Sequence, residues 1–294
     1  MQLEFRALTP EDAVWAAPLM RASGRMGCEY AYTTAYMWSE YYRVTMARYG
    51  EALLLRSDAG DIPSFLVPVG IPLDEGVELL RDIARQEGVP LHMHGVDEEI
   101  REQLLLLYPD RVHFETHDGD FDYVYESELL ATLPGPSYHS KRNHISSFTR
   151  DHDWTFEPLC DENADEMVEV SRLWCAEKGA CADAGLASER CAIRRLIRHR
   201  HALSVDGGLI RAGGKAVAFT LGSPINDAVF DIHVEKALSA YAGAYAVINR
   251  EFAKTLTDYR YLNRENDMGV PGLRRAKESY RPAILLKKYT CELL

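Results

Sequence analysis

Apolar residues in the first 130 positions switch repeatedly between the two-residue period of strands and the longer period of helices. Thr9-Pro10-Glu11-Asp12 is a helix-start signal, because a capping hydroxyl, a proline and two acids favour a first turn. Further helices are predicted at 32–42, 74–87 and 97–107, and strands at 43–48, 51–57, 65–68, 90–94, 111–116 and 121–125. This mixed order is typical of an α/β or α+β layer fold.

The remaining residues predict a second set of strands and helices. Gly213-Gly214 lies between two strand-like runs and is a strong hairpin signal, and other turns are expected at Gly207-Gly208 and 224–227. Predicted strands cover 154–157, 203–211, 215–222, 227–234 and 259–262, and predicted helices cover 161–178, 188–200, 242–253 and 272–281. At 294 residues the chain is long enough for two domains of ordinary size or one large one.

The run Leu133-Pro-Gly-Pro136 is the best candidate for a linker between these two sets. It precedes a basic segment, 138–148, that holds Lys141 and Arg142 and no carboxylate. Read as a helix, this segment either contacts phosphate through the two cations or pairs as a solvated helix with the acidic first half. We therefore expect domains at 1–130 and 151–294, joined by a linker helix at 131–150.

The strand predicted at 227–234 continues to Lys236 and carries a polar face. Strict alternation places Asp231, His233 and Glu235 on one side and apolar residues on the other. An apolar back and a polar front suit a strand that lines a cleft, and they equally suit a strand that faces solvent. On the first reading, the cleft lies in the second half of the chain.

Polar residues and glycines are densest near the C-terminus. The pattern there is Asn263-Arg264-Glu265-x-Asp267-x-Gly269-x-x-Gly272-Leu273-Arg274-x-Ala276-Lys277-x-x-Tyr280-x-Pro282. It reads as strand, turn and helix, with Arg274 and Lys277 on one helix face. A helix N-terminus beside two cations favours binding of phosphate or carboxylate.

This pattern resembles the C-terminal domain of bacterial phosphatidylglycerol lysyltransferases and its soluble relatives. The segment Tyr138-His-x-Lys-Arg-Asn143 is similar to the one that joins the two halves in that family. The resemblance implies two tandem GNAT-like (N-acetyltransferase-like) domains with mixed central sheets flanked by helices, akin to the Fem aminoacyltransferases. It also implies transfer of an aminoacyl or acyl group to an amine or hydroxyl acceptor.

Aminoacyl transfer needs a proton acceptor, hydrogen-bond donors for the oxyanion and cations for the nucleic acid. Candidate catalytic residues, which take the proton or grip the amino-acid ammonium, are Asp231, His233, Glu235, Glu265 and Asp267. Candidate substrate-binding residues are Lys141, Arg142, Lys236, Gly243, Asn249, Asn263, Arg264, Gly272, Arg274, Lys277 and Tyr280. Alternatively, Glu265, Asp267 and Arg274 form a buried salt-bridge lock around the turn.

The donor is expected to be aminoacyl-tRNA rather than acetyl-CoA. In GNAT enzymes a strand, a glycine-rich turn and a helix hold the pyrophosphate of coenzyme A, yet residues 236–244 offer only Gly243-Ala244 as the end of such a cradle. The expected partners are the tRNA acceptor end and a small-molecule, peptide or lipid head-group acceptor. Two alternatives remain, an acetyl-CoA-dependent N-acetyltransferase and a non-catalytic ligand-binding protein on a degenerate GNAT scaffold.

Charge is unevenly distributed along this chain of net charge −12, since residues 1–130 hold 24 acidic and 10 basic side chains. Such a chain is a poor non-specific nucleic-acid binder, so DNA is not expected, although a helix at 188–200 with five arginines suits RNA, phosphate or plain solvation. None of the six cysteines forms a Cys-x-x-Cys pair, so no metal site is predicted. No signal peptide and no apolar run of about 20 residues is evident, which predicts a cytoplasmic protein without a transmembrane segment.

Two other groups of residues have competing interpretations. An aromatic cluster between Tyr30 and Tyr42 either packs in the core of an amphipathic helix or lines a ligand pocket. His92 and His94 lie on one side of a predicted strand, where a structural or surface role is favoured over metal binding.

Overall fold

The computed structural model describes residues 3–178 and 184–294. The helices are α1 (Ala13–Ala22), α2 (Tyr32–Trp38), α3 (Leu73–Glu87), α4 (Glu98–Leu107), α5 (Ser127–Thr132), α6 (His139–Asp151), α7 (Ala164–Glu177), α8 (Ala184–Arg198), α9 (Ala244–Ala253) and α10 (Pro271–Glu278). The strands are β1 (Arg6–Ala7), β2 (Val44–Tyr49), β3 (Ala52–Ser57), β4 (Ser64–Leu66), β5 (Leu91–Val96), β6 (Val112–Glu115), β7 (Asp122–Glu126), β8 (Trp154–Pro158), β9 (Asp206–Ala212), β10 (Lys215–Pro224), β11 (Val229–Ala237), β12 (Tyr261–Asn263), β13 (Ile284–Leu286) and β14 (Tyr289–Leu293). Among the described residues, no helix has both the length and the apolar character that crossing a membrane requires.

The strands form two mixed seven-stranded sheets with the same central motif. The first sheet has the order β1-β2-β3-β4-β5-β14-β6, and the second has the order β13-β7-β12-β11-β10-β9-β8. The parallel pairs are β4 with β5, connected by α3, and β11 with β12, connected by α9. Each sheet is therefore built around one strand-helix-strand crossover, with antiparallel strands on either side.

The two sheets exchange strands. β7 pairs with β12 and β13 in the second sheet, while β14 pairs with β5 and β6 in the first. Each sheet therefore contains a strand from the opposite half of the chain. The domain division at 1–130 and 151–294 stays a prediction.

Two apolar cores hold the layers together. The smaller lies between the second sheet and the α5, α6 and α9 helices, and it includes Phe148, Phe230 and Phe252. The larger continues from the first sheet across to α7, α8 and the other face of the second sheet, where Phe219 is fully buried. Because one core serves both sheets, burial of apolar area favours a fixed arrangement of the two halves.

Most predicted helices and strands are present, and their ends lie within a few residues of the predicted ones. The predicted turn at Gly207-Gly208 is wrong. Both glycines lie inside β9, and its neighbouring strands explain why glycine is needed there. A Cβ on Gly207 would lie 2.5 Å from the carbonyl oxygen of Thr220, and one on Gly208 would lie 2.3 Å from the ring of Phe156. These glycines allow close packing within the sheet rather than a change of chain direction. The helix α5 and the strands β1, β13 and β14 were not predicted.

A β-bulge in β11 changes which side chains share a face. Leu221 pairs with Val234, but the next residue of β10, Gly222, pairs with Ile232, so His233 is the extra residue. The alternation shifts by one position there, and Glu235 contacts Asn249 of α9 instead of lying beside Asp231. The expected common face of Asp231, His233 and Glu235 is therefore wrong for Glu235.

We expect Gly222→Ala to destabilise the protein by about 1–3 kcal/mol, the usual range for overpacking. The added Cβ would lie 2.2 Å from the carbonyl oxygen of Asp231 and 2.3 Å from the ring of Phe230. Urea unfolding of this variant measures the loss. Gly60→Ala is the matched control, because its Cβ meets nothing closer than 3.7 Å. Equal stability of the two variants would contradict the packing described at the bulge.

Candidate active site

A cavity of about 770 Å³ lies at the junction of the two halves, between the first sheet, α2 and the loop that follows β12. Its apolar lining comes from Ala35, Trp38, Tyr42, Val44, Leu55 and Leu66. Its polar lining includes Glu29, Thr34, Arg56, Ser57, Ser64, His94, Asp120 and Glu265. A concave, mostly apolar space with a few convergent polar groups is the usual form of a small-molecule site.

The loop after β12 presents the Glu265 carboxyl group to this cavity. Glu265 has a φ of 55°, a left-handed conformation that non-glycine residues adopt at a cost. Its backbone N–H donates to Asn263 Oδ1 at 2.7 Å, and Lys277 Nζ donates to the carbonyl oxygens of Arg264 and Glu265. A side-chain amide and a buried ammonium group thus hold the backbone in this conformation.

Glu265 meets His233 and Asp231 at the wall of the cavity. His233 Nδ1 lies 3.2 Å from Glu265 Oε1 and 3.3 Å from Asp231 Oδ2, and its Nε2 lies 2.8 Å from Ser223 Oγ. Thr34 Oγ1 donates to Asp231 Oδ2 at 3.3 Å. The structure therefore brings together three of the five predicted catalytic residues, Asp231, His233 and Glu265.

The electrostatics of this group favour an imidazolium ion beside a carboxyl group that titrates near neutrality. Burial would lower the pKa of His233, but the charges and hydrogen bonds of Asp231 and Glu265 outweigh it and raise the pKa to about 9. Burial, together with the charge of Asp231, raises the pKa of Glu265 to about 7. Glu265 can therefore both accept and return a proton near pH 7.

His94 and Ser64 form a neutral polar pair on the opposite wall. Ser64 Oγ lies 2.8 Å from His94 Nδ1. Burial lowers the pKa of His94 to about 4, so its imidazole is uncharged at neutral pH. This pair gives the cavity hydrogen-bonding groups without adding charge.

Part of the aromatic cluster between Tyr30 and Tyr42 lines the cavity, since Trp38 and Tyr42 belong to its wall.

A buried lysine neutralises a second group of carboxylates nearby. Lys288 Nζ lies 2.7 Å from Asp122 Oδ1 and 2.5 Å from Glu29 Oε1. Asp122 also accepts from the N–H of Cys28 and from Asn263 Nδ2, both at 2.9 Å. Because Asp122 begins β7 and Lys288 precedes β14, this ion pair lies where the exchanged strands pass each other.

Glu235 belongs to a different polar cluster, on the α9 side of the second sheet. Its carboxylate accepts from Arg264 Nη2 at 3.0 Å and from Asn249 Nδ2 at 3.1 Å. The Arg264 guanidinium lies 4.8 Å from the ring centroid of Tyr280, and Lys141 Nζ lies 3.8 Å from the same centroid. Burial and the nearby Arg264 lower the pKa of Lys141 to about 8.

Asp267 and Arg274 form the lock that the sequence offered as an alternative. Arg274 Nε lies 2.6 Å from Asp267 Oδ2, which also accepts from Tyr123 Oη at 2.7 Å. The other Asp267 oxygen accepts from the N–H of Gly269 at 2.8 Å. Glu265 is not part of this lock, since it contacts His233. The predicted substrate-binding role of Arg274 and the catalytic role of Asp267 stay predictions.

Three other predicted binding residues already have partners within the protein. Arg142 Nη1 donates to the carbonyl oxygens of Leu133 and Gly135 and so braces the linker. Lys236 pairs with Glu189 at 2.8 Å. Gly243 has a φ of 95°, and a Cβ there would lie 2.4 Å from the carbonyl oxygen of His144 in α6. Gly272, by contrast, has open space around it.

The turn between β11 and α9 is occupied by the protein's own groups. Glu177 accepts a hydrogen bond from the N–H of Ser239 at 2.9 Å, and the N–H groups of Ala246 and Val247 donate to the carbonyl oxygen of Gly243. A carboxylate at this place repels a pyrophosphate group, and α6 packs closely against Gly243. The geometry thus gives no support to a coenzyme A cradle here.

Among residues 3–178 and 184–294, two sets of side chains have ligand atoms close enough to hold a metal ion. The atoms of Asp231, His233 and Glu265 lie within 4.8 Å of one another, as do those of Cys28, Glu29 and Asp122. The Lys288 ammonium group already supplies the positive charge to the second set, and a protonated His233 supplies it to the first. Charge balance therefore does not require a cation at either place.

Several residues of this region were missed from the sequence. They are Cys28, Glu29, Thr34, Asp122, Ser223 and Lys288. No local motif marks them, and they meet only through the packing of distant parts of the chain. His94 carried a usable signal, because a histidine on one side of a strand can face a cavity.

Comparison with known proteins gives the family. The family model described as phosphatidylglycerol lysyltransferase, C-terminal, matches residues 20–292. A conserved protein of unknown function from Bacteroides thetaiotaomicron has a structure that is 33% identical, covers 100% of both chains and superposes with a TM-score of 0.95. The expected resemblance is confirmed.

More distant structures share the fold. L-PGS from Bacillus licheniformis is 16% identical, covering 85% of this chain and 84% of that chain, with a TM-score of 0.63. FemX is 8% identical, covering 98% and 96%, with a TM-score of 0.60. In sequence alone, the chain is similar to an uncharacterised protein of Mycoplasmoides gallisepticum, with 21% identity over 183 residues. The matched region spans 60% of this chain and 58% of that relative. The predicted α/β fold of two GNAT-like units with mixed sheets is confirmed.

Proposed function

The chain belongs to the family described as phosphatidylglycerol lysyltransferase, C-terminal, and on that premise we propose that it transfers an aminoacyl group from aminoacyl-tRNA to an amine or hydroxyl acceptor. The family and the fold are those of GNAT-like transferases. The observation that carries the proposal is the position of Glu265, a carboxyl group with a pKa of about 7 at the wall of a large cavity.

Glu265 acts as the proton acceptor in this proposal. The acceptor's N–H or O–H group gives its proton to Glu265 while its nitrogen or oxygen forms a bond to the ester carbonyl carbon of the donor. The bond from that carbon to the ribose oxygen then breaks, and Glu265 returns the proton to the departing oxygen. The products are an aminoacylated acceptor and a tRNA with a free terminal hydroxyl group.

His233 and Asp231 position and tune Glu265. The imidazolium contacts Glu265 at 3.2 Å and favours its ionised form, whereas the charge of Asp231 opposes it. Ser223 and Thr34 fix the ring and the Asp231 carboxylate. A proton acceptor held this way is ready in the ground state, which reduces reorganisation during the reaction.

The lining of the cavity supports the choice of substrates. Asp120 provides negative charge for an amino-acid ammonium group. Trp38, Leu55 and Leu66 provide an apolar surface on which the body of an acceptor can pack. We therefore propose an acceptor with an apolar portion next to its nucleophile.

A thermal-shift titration tests the donor. We expect charged tRNA to raise the melting temperature more than uncharged tRNA does, because only a ligand that binds the native state stabilises it. Acetyl-CoA is the comparison ligand. A shift with acetyl-CoA alone would replace this proposal by an N-acetyltransferase, and a tight tRNA complex without any turnover would favour a binding protein.

A further inference from the structure

We propose that α8 is a docking surface for the phosphate backbone of an RNA, through Arg190, Arg194 and Arg198. The proposal rests on the proposed function, because it assigns the donor tRNA a place on the protein. The supporting observations are the charge of the α8 side chains, their exposure to solvent and the contacts that they make within the protein. The site around Glu265 contributes nothing to it.

The three arginines form a stripe along one face of the helix. They are spaced four residues apart, so they lie about 6 Å from one another along the helix axis. Arg194 and Arg198 are exposed, and Arg190 is half-buried. A row of guanidinium groups at this spacing can contact successive phosphates along one strand, and guanidinium groups bind phosphate with paired hydrogen bonds.

These arginines have no carboxylate partner in residues 3–178 and 184–294. Within the described part of the chain, the Arg194 side chain donates only to Cys191 Sγ at 3.6 Å, and the Nε of Arg190 is buried without a hydrogen-bond partner. The single acid within α8, Glu189, is already paired with Lys236. The stripe thus keeps its positive charge available.

The other two basic residues of this segment serve the fold and provide a contrast. Arg195 lies 3.4 Å from Glu40 and 4.3 Å from the ring centroid of Tyr36. Arg200 pairs with Asp161 and donates to the carbonyl oxygen of Ile197. Arg195 and Arg200 therefore have acidic partners, whereas the three arginines of the stripe have none among the residues that the structure describes.

The surroundings favour RNA over a membrane surface. Ile193, Leu196 and Ile197 of α8 are buried in the core, so the helix offers no apolar face to a bilayer. The rest of the chain is acidic, with a net charge of −14 in residues 1–130, which confines attraction for polyanions to a few surfaces. α8 also packs against α2, whose Thr34, Ala35 and Trp38 line the cavity. An RNA on α8 would therefore lie about one helix diameter, roughly 10 Å, from the cavity.

The test replaces the three arginines together by glutamine. Binding of fluorescently labelled, uncharged bulk bacterial tRNA is measured by anisotropy at several salt concentrations. We expect weaker binding and a slope of log affinity against log salt that is smaller by about 2–3, since each lost phosphate contact removes about 0.7–0.9. The control variant, Arg21→Gln with Lys215→Gln and Lys287→Gln, removes the same charge from exposed sites elsewhere and is expected to keep the slope.

The outcomes separate this proposal from the proposed function. Unchanged affinity and slope in the α8 variant, or equal losses in the control variant, would overturn the docking surface even if transfer activity is present. Binding of the wild type to vesicles of phosphatidylglycerol and phosphatidylcholine instead of tRNA would also overturn it. The protein could also bind tRNA through α8, with the expected dependence on salt, and yet show no transfer activity. That result would support the docking surface and refute the proposed function.

Discussion

We expect Glu265→Gln to lower the rate of aminoacyl transfer by about 10²–10⁴-fold, the usual contribution of a general base. Glutamine keeps the shape of the side chain but cannot accept the proton. Wild-type kcat/KM should rise as the pH increases through about 7, because Glu265 must be ionised and its pKa is about 7. The variant should lack this rise.

The charged groups around Glu265 set the pH at which kcat/KM rises. They are Asp231 and His233 on β11, Asp122 on β7, Lys277 on α10, and Glu29 and Lys288 beside them. The carboxylates raise the pKa of Glu265 and the protonated His233 lowers it.

Glu102→Gln is the matched control, because it makes the same substitution at an exposed position of α4, outside the lining of the cavity. It should change kcat/KM by less than tenfold. Urea unfolding should show that Glu265→Gln is at least as stable as the wild type, since the substitution relieves repulsion with Asp231. Wild-type turnover in Glu265→Gln, or an unaltered pH profile, would contradict the assignment of the base.

We expect Lys288→Met to lower the free energy of unfolding by about 3–5 kcal/mol, the range for removal of one partner of a buried ion pair. The substitution leaves Asp122 fully buried without its cation, and it also removes the partner of Glu29. It further weakens the place where β7 and β14 cross between the sheets. Urea unfolding of the purified variant measures the loss.

Two further variants separate the ion pair from a general effect of substitution. Lys287→Met changes the exposed neighbour and should alter stability by no more than about 0.5 kcal/mol. Adding Asp122→Asn to Lys288→Met removes the unpaired charge and should recover part of the loss. Equal stability of Lys287→Met and Lys288→Met would show that the buried ion pair contributes nothing.

The sequence was informative where local pattern decides the structure. Alternation in β11 placed Asp231 and His233 on one face, and the motif after β12 brought in Glu265. Helix and strand boundaries were close because their apolar periods are strong. These features depend on neighbours within a few residues, which a single sequence contains.

The sequence failed where the outcome depends on distant parts of the chain. The bulge at His233 depends on how β10 pairs with β11, so strict alternation misplaced Glu235. The exchange of β7 and β14 depends on non-local pairing, and Lys288 reads as an ordinary surface lysine until Asp122 is placed beside it. The sequence also does not distinguish a polar side chain that binds a ligand from one that stabilises a loop. Lys277, predicted to bind phosphate, contacts backbone carbonyl oxygens.

Transfer of a labelled aminoacyl group is the most direct measurement of the central claim. Bulk tRNA charged with radiolabelled amino acids is incubated with the protein and a bacterial small-molecule and lipid extract, and the products are separated from tRNA. Label should move from tRNA into an amide or ester product with the wild type and not with Glu265→Gln. Label that moves from acetyl-CoA instead, or that stays on every tRNA despite demonstrated tRNA binding, would contradict aminoacyl transfer in this cavity.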